Sequence, residues 1–160
     1  VVDNCLQVFA DANLQLDAKD FNIFVNANSL SSIINTGSAA VTADYAMSKK
    51  TLEVTHSGSG RINLRNITIS DKLSLTLTGS GEVSSSGNTK DLVVTLTGSG
   101  AIEAPSSDNA TVTLTGSGNV LLGSVSRRAD GSLTGSGFIY GSGPADLQIA
   151  HTGSGQISWR

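Results

Sequence analysis

Two histidines, His56 and His151, are the side chains in this chain best suited to acid–base chemistry or to metal binding. Each stands two residues before the first glycine of a Gly-Ser-Gly triplet, and five repeats of that triplet separate them. If each repeat is one coil and coils stack at strand spacing, about 24 Å lies between the two imidazoles. We expect both to point inward, and the distance excludes a shared metal or a catalytic pair.

The acidic residues form no pattern that would make a catalytic or ion-binding site. Carbohydrate-cleaving enzymes need paired carboxylates, and calcium-binding solenoid repeats need an Asp in the glycine-rich corner. No Gly-Ser-Gly triplet contains Asp, and none precedes a predicted helix that could hold a phosphate. Six acids fall at differing positions relative to the triplets: Glu53, Glu82, Asp91, Glu103, Asp108 and Asp146. The sequence therefore predicts no catalytic, cofactor-binding or metal-binding residues, and a protein that is not an enzyme.

Hydroxyl side chains recur at fixed distances before the triplets. Thr or Ser stands one residue before each first glycine, and again three residues before most of them. If the residues between are buried, these hydroxyls form two files on one outer face. The candidate contact face consists of Thr55, Thr76, Thr78, Thr95, Thr97, Thr113, Thr115 and Thr134. Three interpretations stay open: a plain solvent-facing surface, since Thr is a good strand former, a glycan- or surface-binding face, or an ice-binding face. Regular Thr-x-Thr ranks of this kind resemble those of β-solenoid antifreeze proteins.

Two asparagines lie in patterns that can accept an N-linked glycan. They are Asn66, in Asn66-Ile67-Thr68, and Asn109, in Asn109-Ala110-Thr111. In a chain rich in Ser, Thr and Asn such patterns also arise by chance. Both asparagines stay candidates only if the cell that makes the protein glycosylates such sites.

A repeat must position these side chains. Triplets begin at Gly58, Gly79, Gly98, Gly116, Gly135 and Gly153, with a variant, Gly37-Ser38-Ala39, upstream. The steps from Gly37 onward are 21, 21, 19, 18, 19 and 18 residues. A period of about 20 residues is typical of a solenoid, in which each repeat is one coil stacked on the next.

Apolar and polar residues alternate before each triplet, as in Leu73-Ser74-Leu75-Thr76-Leu77. Period-two alternation marks a strand with one buried face. Each coil is thus expected to hold a strand of about six residues, a tight Gly-Ser-Gly corner, a short second strand and a polar return without an apolar pattern. The predicted fold is all-β: a single-stranded parallel β-helix of about eight coils of 18–21 residues, right-handed from crossover chirality. It forms a single domain, 1–160, with irregular coils in 1–36 and regular coils in 37–160.

Composition and charge narrow the function class. Only 14% of residues are charged and 4% aromatic, and the net charge is −3. Without a basic stripe, nucleic acid is not expected as a partner. No apolar run has the length of a membrane span. No signal peptide begins the chain, and an exported precursor stays open because Val1-Val2-Asp3-Asn4 looks like a processed end. Cys5 is the single cysteine, so no internal disulfide is expected.

Both ends of the chain run almost directly into predicted coils. Solenoids need polar terminal coils or a covering helix to protect open strand edges. Leu6 and Val8 in the first coil, and Ile157 and Trp159 in the last, are expected to point inward onto uncovered layers. Either the chain is a segment of a longer protein, or coils stack end to end between molecules, which would make a filament.

The repeated Leu/Val-Thr-Leu-Thr-Gly-Ser-Gly-x-Val/Ile at residues 75–83, 94–102 and 112–120 resembles the GIN domain. That family is the head domain assigned to autotransporter adhesins in Bacteroidetes surface proteins. The resemblance covers residues 33–160, most strongly from residue 52. It implies a β-helix whose tight corners join two sheets, a cell-surface or exported location and an adhesion role, and it assigns no catalytic residues. The first coil departs from the pattern, because Ala10-Asp11-Ala12 occupies the place of the triplet.

The function expected from sequence is a non-enzymatic extracellular or cell-surface structural or adhesion module, self-assembling end to end in one version of the hypothesis. Ice binding or glycan binding through the threonine face is the alternative. A polysaccharide-acting enzyme is the more distant rival, because β-helices host such enzymes too. The expected partner is first a second copy of the chain, then a surface glycan or host-cell receptor, with no nucleic acid, no membrane span and no cofactor.

Overall fold

The computed structural model describes residues 30–44 and 49–160, and the regular structure in these ranges is entirely β-strand. The strands are β1 (Ser32–Gly37), β2 (Ala40–Asp44), β3 (Lys49–Gly58), β4 (Arg61–Gly79), β5 (Glu82–Gly98), β6 (Ala101–Ala104), β7 (Ser106–Gly116), β8 (Asn119–Gly135), β9 (Phe138–Ser142), β10 (Asp146–Thr152) and β11 (Gln156–Trp159). No helix in these ranges is long and apolar enough to cross a membrane.

Every strand pairs in parallel with its counterpart one coil away. The register places each corner glycine over the corner glycine of the coil before, through Gly37, Gly58, Gly79, Gly98, Gly116 and Gly135. Thr152 continues it over Thr134 in the last coil. The prediction of an all-β parallel solenoid is confirmed. The described residues make about six turns, and the predicted count of about eight includes coils in residues 1–36, most of which lie outside the described ranges. The predicted first corner, Ala10-Asp11-Ala12, lies outside the described residues.

The Gly-Ser-Gly corners are held by backbone hydrogen bonds between coils. At the third full triplet, the amides of Ser99 and Gly100 both donate to the carbonyl oxygen of Gly79, each at 3.0 Å. Gly98, which opens this triplet, has a φ of +123°, a conformation that side-chain-bearing residues rarely adopt. The corner is therefore a turn that glycine makes possible and that the coil below secures.

In β4 and β5 the return between corners is itself a strand segment, which corrects the prediction of a polar return without an apolar pattern. In β4, shifts in register divide the strand into three straight segments, Arg61–Leu64, Ile67–Ile69 and Lys72–Gly79. Ile67 and Ile69 are each only 2% exposed. In β5 the buried residues paired with Leu64 and Ile69 are Ser85 and Thr89. Small polar residues thus hide the alternation of this segment in the sequence.

The core consists of aliphatic columns that run along the solenoid, one residue per coil. Two residues before the corner, Leu77, Leu96, Leu114 and Leu133 are buried, and four residues after the first glycine, Ile62, Val83, Ile102, Val120 and Ile139 are buried too. Burying one such side chain contributes about 1.5–3 kcal/mol. Because all columns face inward, the residues between them face outward, and this fixes the position of the threonine files.

Candidate functional site

The threonine files lie on the outer side of the long strands, as the alternation predicts. The ladder stacks Ser57, Thr78, Thr97, Thr115, Thr134 and Thr152 in one file, and Thr55, Thr76, Thr95, Thr113 and Ser132 in the other. The first file is exposed from Thr78 onward, whereas the threonines of the second are half-buried. Neighbours within a file are one strand spacing apart, about 4.8 Å. The candidate contact residues are therefore brought together on one face, and their contact role stays a prediction.

A third file of hydroxyls, which the sequence interpretation did not single out, runs along the corners. The middle serine of each full triplet is exposed: Ser59, Ser80, Ser99, Ser117, Ser136 and Ser154. In the last two coils, the Ser136 and Ser154 hydroxyls are 3.0 Å apart. A shallow groove follows this ridge past Ser38, Ser59 and Ser80, beside Arg61 and Glu82. The signal was present in the sequence, because the central residue of every triplet is serine.

Charged groups border the threonine files at the far end of the long strands. In register there, Asp91 is followed by Asn109, Arg128 and Asp146. The Arg128 guanidinium pairs with Asp130, and this hydrogen bond holds the pKa of the Asp130 carboxyl below its ordinary value. Because the pair is exposed, it adds little to stability. The files themselves carry no charged side chain from Thr55 to Thr134.

The two glycan-acceptor asparagines differ in accessibility. Asn66 is exposed at a bend with a φ of 53°, and its backbone amide donates to the Ser86 hydroxyl at 3.2 Å. Asn109 lies within β7, half-buried, and its side-chain amide donates to Asp91 Oδ1 at 2.7 Å. Asn66 is therefore the better glycan acceptor, because it is exposed, whereas the side-chain amide of Asn109 is half-buried and bonded to Asp91. Modification at either position stays a prediction.

The two histidines differ in burial as well as being far apart in the sequence. His56 is 0% exposed, its Nδ1 donates to the Asn35 carbonyl at 2.9 Å, and its ring lies against Gly81. His151 lies over Leu133 in the ladder, yet it is exposed, because the last described coil has none above it. The register places both histidines in the inward-facing leucine column, as expected; His56 is buried there, whereas His151 in the last described coil is exposed. Within residues 30–44 and 49–160, no three His, Cys, Asp or Glu side chains come together in a way that could hold a metal.

His56→Leu is expected to stabilise the protein by about 1–2 kcal/mol, because a buried polar atom without a partner is costly. His56 Nε2 has no hydrogen-bond partner among the described residues, and the next coils carry buried leucine in this column. Chemical denaturation measures the effect. The matched control is His151→Leu, at the same coil position but exposed, which should change stability by less than about 0.5 kcal/mol. A destabilised His56→Leu protein would show that the histidine is needed for the fold.

Two of the four residues predicted to stack end to end lie in the part of the chain that the structure describes. Ile157 and Trp159 are half-buried in β11, which pairs with β9. The Trp159 indole lies against Gly141, and its Nε1 donates to the Gly143 carbonyl at 2.9 Å. Trp159 therefore folds over its own chain. Leu6 and Val8 lie outside the described residues.

A family model matches residues 1–145, and its description is "Putative auto-transporter adhesin, head GIN domain". The match takes in nine-tenths of the 160 residues. The chain belongs to the GIN domain family. The match starts at residue 1, so the residues predicted to form the first coil are part of the family region, whereas the motif resemblance began only at residue 33.

No match was found among curated proteins or solved structures, so the family description and the geometry of this GIN domain carry the functional interpretation. That description indicates an adhesin-like head and a cell-surface protein. It assigns no partner and no contact residue. Three surfaces of this domain are therefore candidates for contact with a partner. They are the threonine files, the ridge of corner serines from Ser59 to Ser154, and the outer face of the short strands that follow the corners.

Proposed function

We propose that this GIN domain is a non-enzymatic adhesion module, displayed outside the cell, whose contact surface is the threonine face. The observation that carries the proposal is the stacking of exposed Thr78, Thr97, Thr115 and Thr134, one above the other on a parallel sheet. Membership of an adhesin head family supports the class of function.

The physical support is rigidity combined with hydroxyl chemistry. Each threonine hydroxyl can donate and accept a hydrogen bond, as can the hydroxyls of a glycan. The files are fixed by the ladder, so binding orders little that is not ordered already, and this lowers the entropic cost of association. A repeat at about 4.8 Å along the rod offers many weak contacts at once, the condition for avidity on a glycan-coated surface.

The test is adhesion of beads that carry the protein to a mucin-coated surface under flow. The disrupting variant is Thr78→Lys with Thr97→Lys, two exposed neighbours in adjacent coils. It is expected to lower bead retention at least about tenfold, since bulky charges replace complementary hydroxyls. The matched control is Thr68→Lys with Asn88→Lys, also exposed neighbours of the same two coils but on another face.

Each outcome is decisive for the threonine face. Retention lost in the threonine variant and kept in the control supports the proposal. Equal loss in both variants would show a charge effect and overturn the threonine face as the contact. Unmodified beads that do not adhere overturn the adhesion proposal for mucin glycans, and release of reducing sugar from the mucin overturns the non-enzymatic proposal. Thermal hysteresis of the unmodified protein would favour ice binding through the same files.

End-to-end self-association is a second proposal, carried by the last described coil. Its strands β10 and β11 each pair with one strand in the part of the chain that the structure describes, β8 and β9. Leu147 on β10 is 39% exposed. A parallel edge of this kind is a template for another strand, and the occupant we propose is a second copy of this chain. Sedimentation across a concentration series decides it: growing species support the proposal, and one constant small mass overturns it.

A further inference from the structure

A short strand segment follows each corner: Arg61–Leu64 in β4 and its counterparts in β5, β6, β8, β9 and β11. The residues on the outer face of these short strands change in chemistry along the solenoid. Two columns of side chains point outward there, and in the early coils they include the charged residues Arg61, Glu82 and Glu103. Arg61 pairs with Glu82 at 2.9 Å, and Ser84 donates to Glu103 at 3.0 Å. In the later coils the same two columns hold Asn119, Phe138 and Gln156, and Leu121, Tyr140 and Ser158. From β8 onward both columns are thus uncharged, and they include two aromatic rings.

Phe138 and Tyr140 lie side by side on this neutral surface. Their ring centroids are 6.0 Å apart and their planes differ by 14°. Tyr140 is 40% exposed, and its ladder neighbour Leu121 is 47% exposed. The chain contains only four Phe, two Tyr and one Trp. Two adjacent aromatic rings on the outer surface are therefore unusual for this chain. Phe138 is half-buried and Tyr140 exposed, and surface aromatic rings with polar surroundings are typical of binding sites.

The surroundings of the rings select the occupant. The ladder places the amide side chains of Asn119 and Gln156 on either side of Phe138, and a hydroxyl, Ser158, beside Tyr140. None of these three neighbours is charged, which favours a neutral ligand over an ionic one. An amide offers a donor and an acceptor together, which matches adjacent hydroxyls of a sugar. The C–H groups on one face of a pyranose ring can pack on an aromatic ring. The hydroxyls at the edge of the pyranose then form hydrogen bonds with neighbouring side chains.

We propose that Phe138 and Tyr140 form a binding platform for a neutral pyranose unit of a surface glycan. The platform lies across the corner from the threonine face, since Thr134, Ser136 and Phe138 follow one another around the same coil. A glycan whose terminal sugar stacks on the rings can extend over the serine ridge onto the threonine files. This inference rests on the proposed adhesion function and names its ligand class.

Saturation-transfer NMR with three soluble probes, cellotetraose, chitotetraose and lactose, tests the platform. These sugars present β-linked glucose, N-acetylglucosamine and galactose, whose rings each offer a face of C–H groups. Irradiation of the aromatic protons is expected to transfer saturation to ring C–H protons of at least one probe. Phe138→Leu with Tyr140→Leu should lower that transfer at least about tenfold, because apolar area is kept while the rings are lost. Leucine already occupies the column at Leu121, so the variant is expected to fold, which its thermal unfolding checks.

The control is Thr78→Ala with Thr97→Ala, which alters the threonine face and leaves the rings intact. Transfer kept in this control and lost in the leucine variant supports the platform. Transfer to none of the three probes, or transfer unchanged in the leucine variant, overturns it. Bead retention on mucin separates the two proposals. If beads adhere but no probe binds, the platform is wrong and adhesion stands, whereas failure of the beads alone contradicts adhesion and leaves the platform to the NMR result.

Discussion

Gly98→Ala is expected to destabilise the protein by at least about 3 kcal/mol, because the added methyl group combines backbone strain with a clash between coils. Gly98 has a φ of +123°, which a residue with a side chain rarely adopts. A Cβ built at this position would also stand 2.5 Å from the carbonyl oxygen of Gly79 in the coil below. That carbonyl accepts both corner hydrogen bonds and cannot move away without breaking them. Chemical denaturation followed by circular dichroism measures the loss.

Two controls separate the causes of this loss. Ser99→Ala changes the exposed middle residue of the same triplet and should cost less than about 0.5 kcal/mol. Gly37→Ala changes a corner glycine with a φ of +129° but with no described atom within 4 Å of the added Cβ. It should cost less than Gly98→Ala, since among the described residues it adds backbone strain without a clash between coils. A Gly98→Ala protein as stable as Ser99→Ala would mean that the corner is not the stacked turn described here.

The corner is the element that sequence alone predicted best. The period of the triplets predicted which glycines stack, and the ladder pairs Gly79 with Gly98 and Gly98 with Gly116 as expected. The inward and outward assignment of the long strands was also correct, because six residues of strict alternation leave only one buried face. These successes share a cause: a repeat gives each local signal several times, so a single irregular residue does not obscure it.

The strand segment in the return of β4 and β5 was not predicted, because the residue types at its buried positions differ between the two coils. Where β4 has Leu64 and Ile69, β5 has Ser85 and Thr89, all of them buried. Hydrogen bonds make this possible, since Ser85 donates to the Glu103 carbonyl and Thr89 to the Asp91 carbonyl, each at 3.2 Å. Small hydroxyl residues can occupy a core when they bond to the backbone, and in the sequence they look like a solvated loop.

The candidate sites were predictable to different degrees. The threonine files follow from alternation alone, and the structure adds their exposure, which is greater in the file of Thr78 and Thr97 than in that of Thr76 and Thr95. Phe138 and Tyr140 occur once rather than in every coil, so a search for repeats passes over them. Their significance depends on the register, which places amides on both sides of one ring. The exposure of His151 likewise depends on its coil rather than on its residue type.

Leu96→Ala is expected to cost about 2–5 kcal/mol, because it opens a cavity in a column that cannot collapse. Leu96 is 0% exposed, and it is stacked between Leu77 and Leu114 in the ladder. The backbone spacing of the coils is fixed by the hydrogen bonds above and below, so neighbouring leucines cannot close the gap. The side chain also packs beneath the glycine that ends the next triplet, since a Cβ on Gly118 would lie 2.7 Å from Leu96 Cδ2.

The matched control, Thr97→Ala, changes the next residue of the same strand on the opposite side. Thr97 is exposed, so its loss should cost less than about 0.5 kcal/mol. The ratio of the two losses, measured by urea denaturation, tests the assignment of inside and outside on which the adhesion proposal rests. If Thr97→Ala were the more costly change, the threonines would be the core and the leucines the surface. A contact face of hydroxyls would then be impossible, whereas the expected order leaves that face free to bind a partner without loss of stability.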